Sequence, residues 1–129
     1  MKKNIDFKKM NGLIPSIIQD DRTNEIYMLG YMNDESLQKT IKTGMVYFWS
    51  RSRNKLWMKG EESGNTLKVE EIYIDCDSDT LLIMVKLMGT NVCHTGNRTC
   101  FNNTLLVKNA RYETRRTVRN NKKKENLKI

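Results

Sequence analysis

Apolar residues in this chain come in short runs, and turn-forming residues keep interrupting them. The runs are GLIPSIIQ (12–19), IYMLGY (26–31), MVYFW (45–49), KLWMK (55–59), TLKVEEIYI (66–74) and TLLIMVKLM (80–88). They are rich in β-branched and aromatic residues and are bounded by Gly, Asn, Asp and Ser, which is the pattern of strands. One segment, 34–43, has helical spacing. Leu37 and Ile41 sit four apart on one face, Asn33 precedes it as a cap, and Gly44 follows it in the place of a left-handed terminator. A chain punctuated in this way folds as mainly β. We expect a compact folded sheet or pseudo-barrel with one short helix.

Local details sharpen the expectation. DDRTNE (20–25) is a turn that makes a hairpin of the first two runs. Pro15 places its strand at an edge or a bulge. In TLKVEEIYI the apolar alternation slips phase at Glu70–Glu71, as a bulge would cause. Beyond Phe101 the pattern fades: LLV (105–107) offers one more strand, NARYETRRTVRN (109–120) a helix, and NNKKKENLKI a solvated charged tail.

With 129 residues the chain amounts to one domain. We divide it into a loosely held segment (1–11), a core domain (12–101) and a basic extension (102–129). The longest strongly apolar run, Leu81 to Val85, is far short of a membrane span. The start, MKKNIDFKKM, is charged and has no apolar stretch, so we read no signal peptide and expect a cytoplasmic protein.

The net charge of +8 is unevenly spread. Residues 1–101 hold 14 Lys+Arg against 13 Asp+Glu, whereas residues 102–129 hold 9 against 2. The body is thus nearly neutral, and its charge does not mark it as a nucleic-acid binder.

The chemistry-bearing residues are clustered. All three cysteines and the one histidine lie between positions 76 and 100. An odd cysteine count without a secretory signal argues against a disulfide framework. Asp75, Asp77 and Asp79 alternate, and on an extended strand they would share one face. Three carboxylates crowded together call for a cation, and hard oxygen donors suit Mg²⁺ or Ca²⁺. An EF-hand is excluded, because Thr80 and Lys86 stand where that loop needs Gly and Glu. The bland alternative is a solvated acidic turn.

By the same alternation Cys76 faces away from the aspartates, so any metal it holds is a different one. Its candidate partners are Cys93 and Cys100. All three lie near acidic or Gly-rich loop residues, outside the apolar runs where a buried structural cysteine would sit. Three thiolates make an incomplete structural zinc site, but they suit a catalytic one with a position open to water. His94, adjacent to Cys93, diverges from it and would move protons. Finally, Arg51, Arg53, Lys55 and Lys59 surround two tryptophans and the Ser63–Gly64 loop. Such a segment grips phosphate through guanidinium forks and backbone N–H groups, or is simply a solvated hairpin.

Together, GLIPSIIQD, MLGYMN, FWSRSRNKLWMKGEESGNTL, IDCDSD and CHTGNRTCF resemble the phosphoribosyl-AMP cyclohydrolase family, from about Gly12 to Phe101. The resemblance implies the third step of histidine biosynthesis, the hydrolytic opening of the adenine ring of N1-(5-phosphoribosyl)-AMP. It implies an intertwined, mainly β homodimer. It implies zinc on Cys76, Cys93 and Cys100, with Cys76 from the partner chain, and magnesium on Asp75, Asp77 and Asp79. His94 resembles the general acid/base, and Arg51, Arg53, Lys55, Lys59, Ser63 and Gly64 fall in motifs suited to substrate phosphates. Glu62 departs from the family's Thr and disfavours a phosphate close by. Gly30 stands where Ala is common, a departure of little expected consequence. The pyrophosphohydrolase module fused in some relatives is absent, which implies a single activity.

Rival readings are weaker. A nucleic-acid-binding protein would rest on the basic extension alone, since the body shows no helix-turn-helix, RNP or paired zinc-finger pattern. A nucleobase deaminase needs H-x-E followed by P-C-x-x-C, and neither is present. A structural zinc protein would bind metal and turn over nothing.

Overall fold

A computed structural model describes residues 4–108. The elements in chain order are β1 (Ile14–Asp20), β2 (Ile26–Met32), α1 (Asp34–Thr43), β3 (Tyr47–Ser50), β4 (Lys55–Met58), β5 (Thr66–Ile74) and β6 (Leu81–Met88). Four strands form one sheet in the order β2-β1-β6-β5, and β3 and β4 form a separate hairpin. The fold is therefore mostly sheet with one helix, as the short runs require. The sheet is open, with β2 and β5 as its edges, so the expected pseudo-barrel does not close among the described residues.

β1 pairs antiparallel with β2 and parallel with β6. It is thus an interior strand, not the edge that Pro15 suggested. Proline is tolerated because pairing with β6 begins only at Ser16, one residue later. The phase slip in β5 is a real bulge: Val69 pairs with Val85 and Glu71 with Met84, leaving Glu70 over. Ile14, Ile18, Tyr27, Met32, Leu67, Leu81, Ile83 and Val85 bury the inner face of the sheet.

The helix lies where its caps put it. Asn33 accepts from the Ser36 N–H at 2.8 Å, the Ser36 hydroxyl accepts from the Asn33 N–H at 2.9 Å, and Gly44 ends the helix at φ 77°. Its buried face is Ser36, Leu37 and Thr40, while Ile41 is exposed, contrary to the spacing argument. Thr40 belongs inside because its hydroxyl satisfies polar groups there: it donates to the Ser36 carbonyl and accepts from the Tyr47 N–H. The bond from the Tyr47 N–H ties α1 to β3.

The chain after Gly44 runs along β5, with Val46 N–H donating to the Leu67 carbonyl and Val69 N–H to the Gly44 carbonyl. This sets the β3–β4 hairpin across the sheet, so that Phe48 lies over Gly30. A Cβ at position 30 would sit 2.5 Å from Phe48 Cε1. Phe48 is 1% exposed, so its ring must shift among buried neighbours to admit a methyl group. Gly30 is therefore a packing requirement, correcting the expectation that it matters little. Gly30→Ala is expected to destabilise the protein by roughly 1–3 kcal/mol through overpacking; equal urea-unfolding midpoints for the two proteins would refute this.

Two terminal expectations change. Residues 4–11, read from their polarity as loose, carry Ile5 and Phe7, which pack on the core, and the Asp6 N–H donates to the Ser78 carbonyl at 2.7 Å. LLV (105–107) forms no strand, and Leu105 and Leu106 are exposed. The helix expected at 109–120 and the charged tail lie outside the described residues. Among the described residues, no helix is long and apolar enough to cross a membrane.

Candidate active-site cleft and metal-ligand groups

An open cleft of about 610 Å³ lies between β2, the β3–β4 hairpin, the glycine loop at 60–65 and the loop that follows β6. Arg51, Arg53, Lys55, Lys59, Ser63, Cys93 and His94 all line it. These residues come from two segments, 51–63 and 93–94, that lie 30 positions apart in the chain, and the fold gathers them on one wall system. Gly64 is not in the lining. It shapes the loop instead, at φ 83°, with its N–H donating to the Gly60 carbonyl. Ser63 accepts from the Asn65 N–H, which stiffens the same turn.

The cleft also holds residues that the sequence did not single out. Arg51 stacks its guanidinium 3.9 Å from the Tyr31 ring centroid, so the fork is oriented before any ligand arrives. Phe48 and Trp57 pack at 5.4 Å between centroids, giving the floor an aromatic surface. Asn65 accepts from the Thr90 N–H and donates to Asn91 at 3.5 Å, and Asn91 donates to the Cys93 carbonyl. These two asparagines link the glycine loop to the cysteine loop. No spacing rule flags them, because the bonds that join the two loops span 25 and 26 residues.

Cys93 is buried, its Sγ is 2.9 Å from the Thr95 hydroxyl, and Cys100 is beside it. The Thr95 hydroxyl draws the Cys93 thiol below its ordinary pKa, whereas burial and the neighbouring Cys93 push Cys100 up. Two adjacent soft sulfur donors fit a zinc ion in kind but are too few in number.

Cys76 is not with them. It lies with the aspartates on the turn joining β5 to β6. That turn corrects the alternation argument, because residues 75–79 are not an extended strand. The chain reverses there, with Ser78 at φ 66° and Asp75 Oδ1 accepting the Asp79 and Thr80 N–H groups. Carboxylate oxygens of Asp75, Asp77 and Asp79 still come within 4.8 Å of one another. The turn does what strand alternation was expected to do. This all-oxygen set fits a hard divalent ion, and it is the one group of three such ligands among the described residues.

Lys9 reaches over this turn, its Nζ 3.2 Å from Asp77 Oδ2 and 2.9 Å from Asp79 Oδ2. The ammonium holds Asp79 down to about 2. A depressed carboxylate stabilises the fold above its ordinary value near 3.8 and loses that contribution as pH falls toward 2. Lys9→Met is expected to flatten that small part of the acid dependence. Unfolding midpoints of both proteins between pH 5 and pH 2 check it, and parallel curves would refute it.

Comparison with known proteins bears on the whole of this arrangement. The family model described as "PRA-CH: Phosphoribosyl-AMP cyclohydrolase" matches residues 28–102. A phosphoribosyl-AMP cyclohydrolase of Clostridium botulinum is 60% identical over 104 residues, covering 81% of this chain and 94% of that protein. One of Syntrophotalea carbinolica is 57% identical over 97 residues, covering 75% and 78%. One of Cenarchaeum symbiosum is 55% identical over 102 residues, covering 79% and 94%. The matched span takes in the hairpin, the acidic turn and the cysteine loop, and on that extent and identity the chain belongs to the phosphoribosyl-AMP cyclohydrolase family of enzymes.

Proposed function

We propose that this protein hydrolyses N1-(5-phosphoribosyl)-AMP in the cytoplasm, opening the adenine ring in histidine biosynthesis. Water adds at C6, the N1–C6 bond breaks, and the product is the phosphoribosyl-formimino aminoimidazole carboxamide ribotide. The observation that carries this reading is the cleft. It places His94 and Cys93 against four cationic side chains, matching a substrate with one reacting ring and two phosphate-bearing ribose arms.

Arg51, already stacked on Tyr31, meets a phosphate with its fork at little ordering cost. Arg53, Lys55 and Lys59 add positive potential along the same wall. Glu62, also in the lining, repels a phosphate from the glycine-loop end and so directs the two arms elsewhere. The Phe48–Trp57 surface offers the ring an apolar floor. His94 takes a proton from the incoming water or returns one to N1 as the ring opens, because an imidazole nitrogen can act as base or, once protonated, as acid.

The metal sites are part of the proposal. Zinc would be held by Cys93 and Cys100 of one chain and Cys76 of a second copy, because the fold keeps a chain's own Cys76 on the acidic turn. Bound there, it would acidify water and so make a nucleophile available near neutral pH. Magnesium would be held by Asp75, Asp77 and Asp79. The second copy docks on exposed apolar residues of the sheet edges, among them Ile26, Leu29 and Tyr73.

The test is turnover of phosphoribosyl-AMP by purified protein, followed by near-UV absorbance with and without a chelator. We expect chelator-sensitive turnover that zinc restores. No turnover by folded protein supplied with zinc and magnesium would sink the assignment.

A further inference from the structure

We propose that Arg98 is a positioning residue that presets the Cys93–Cys100 thiol pair, through a charged network anchored in the β1–β2 hairpin. The inference rests on reading that pair as a metal site. The loop first closes on itself: Val92 N–H donates to the Arg98 carbonyl at 3.2 Å, and Cys93 N–H to the Asn97 carbonyl at 3.0 Å. These bonds set the loop's shape, but not where it sits.

Its seat comes from three consecutive residues. Arg98 Nε donates to Glu25 Oε1 at 2.8 Å, and its Nη2 donates to the Tyr27 hydroxyl at 3.1 Å. Tyr27, fully buried, donates its own hydroxyl hydrogen bond to Asp20 Oδ1 at 2.8 Å. Asp20 is in turn fixed by the N–H groups of Arg22 and Thr23. Next to Arg98, the Thr99 hydroxyl donates to the Ile26 carbonyl at 2.7 Å, and Cys100 N–H donates to the Tyr27 carbonyl at 2.8 Å. The last docked residue is therefore itself one of the two thiols.

To share one ion, both sulfurs must lie close together. A loop shaped only by its own turn would let them spread before an ion arrives. Arg98 prevents this because its planar fork holds Glu25 and the Tyr27 hydroxyl in one rigid geometry, whereas a lysine's flexible stem and rotatable donors would fix the loop less firmly. The network sits beside the Asp20 end of β1, whereas the acidic turn adjoins the Ser16 end through Leu81. The two metal-ligand groups are thus positioned independently.

The test uses full-length protein freed of metal and titrated with Co²⁺, whose thiolate charge-transfer absorption reports binding to the cysteines. Arg98→Met is compared with Arg98→Lys and Glu25→Gln at a temperature where far-UV circular dichroism shows each folded. We expect Arg98→Met to weaken Co²⁺ roughly 10-fold or more, in the range of supporting residues around metal ligands. Arg98→Lys should fall between, and Glu25→Gln should shift the same way. Wild-type Co²⁺ affinity in folded Arg98→Met, even with lowered stability, would overturn the proposal. If Arg98→Met fails to fold, unchanged affinity in Glu25→Gln overturns it equally. Absence of any thiolate–cobalt band in the wild type would instead remove the metal reading, and the positioning role with it.

Discussion

Cys93→Ser and Cys76→Ser variants are each expected to lose turnover by more than about a hundredfold, beyond the effect of altering a supporting residue. Mixed, unfolded and refolded together, they should recover activity. The reason is geometric. Cys93 sits in the cleft beside Cys100, while Cys76 lies on the β5–β6 turn outside it. If a second copy supplies Cys76, a mixed dimer has one site with all three thiols and one with neither Cys76 nor Cys93. Random pairing makes half the dimers mixed, so about a quarter of the wild-type activity returns. Steady-state turnover of the refolded mixture measures this directly. Two inactive variants that stay inactive when mixed would mean that the site is not shared between chains.

His94→Asn is expected to reduce kcat roughly 10²- to 10⁴-fold, the usual contribution of a positioned acid or base. Asparagine keeps a polar side chain in the cleft lining but cannot carry a proton between water and N1. Bound zinc should remain at the wild-type amount, because His94 is assigned to proton movement and not to the metal. A loss under tenfold would remove the acid/base role. Zinc lost together with activity would make His94 a ligand.

The two variants divide the cleft's chemistry between its sulfur and its imidazole. Gly30 and Arg98 belong to a different layer. One sets how closely the hairpin approaches the sheet, and the other where the cysteine loop sits. Neither carries chemistry of its own, and the chain alone marked neither as consequential.

What the sequence determined by itself was whatever depends on near neighbours. The Asn33 cap, the Gly44 terminator and the helix between them follow from bonds spanning three or four residues. The bulge at Glu70 follows from a break in a two-residue period. The ligand types also follow from the chain, since thiols, carboxylates and an imidazole gathered within 75–100 define which ions and proton transfers are available.

Tertiary structure decided whatever depends on which segments meet. Strand order is one such property: β1 became interior because β6, more than 60 residues later, pairs with its free side, and no local pattern encodes that partner. The acidic turn is another. Carboxylates at alternate positions converge whether the chain is extended or reversed, so the spacing could not distinguish the two, and the Asp75 N–H bond to the Thr80 carbonyl could. Ile41 faces solvent and Thr40 the interior because the helix's neighbour offers Thr40 a partner in the Tyr47 N–H. Arg51 on Tyr31, Phe48 over Gly30 and Arg98 between Glu25 and Tyr27 are all pairings across long stretches of chain. Their energies come from close approach in space, which only the folded packing supplies.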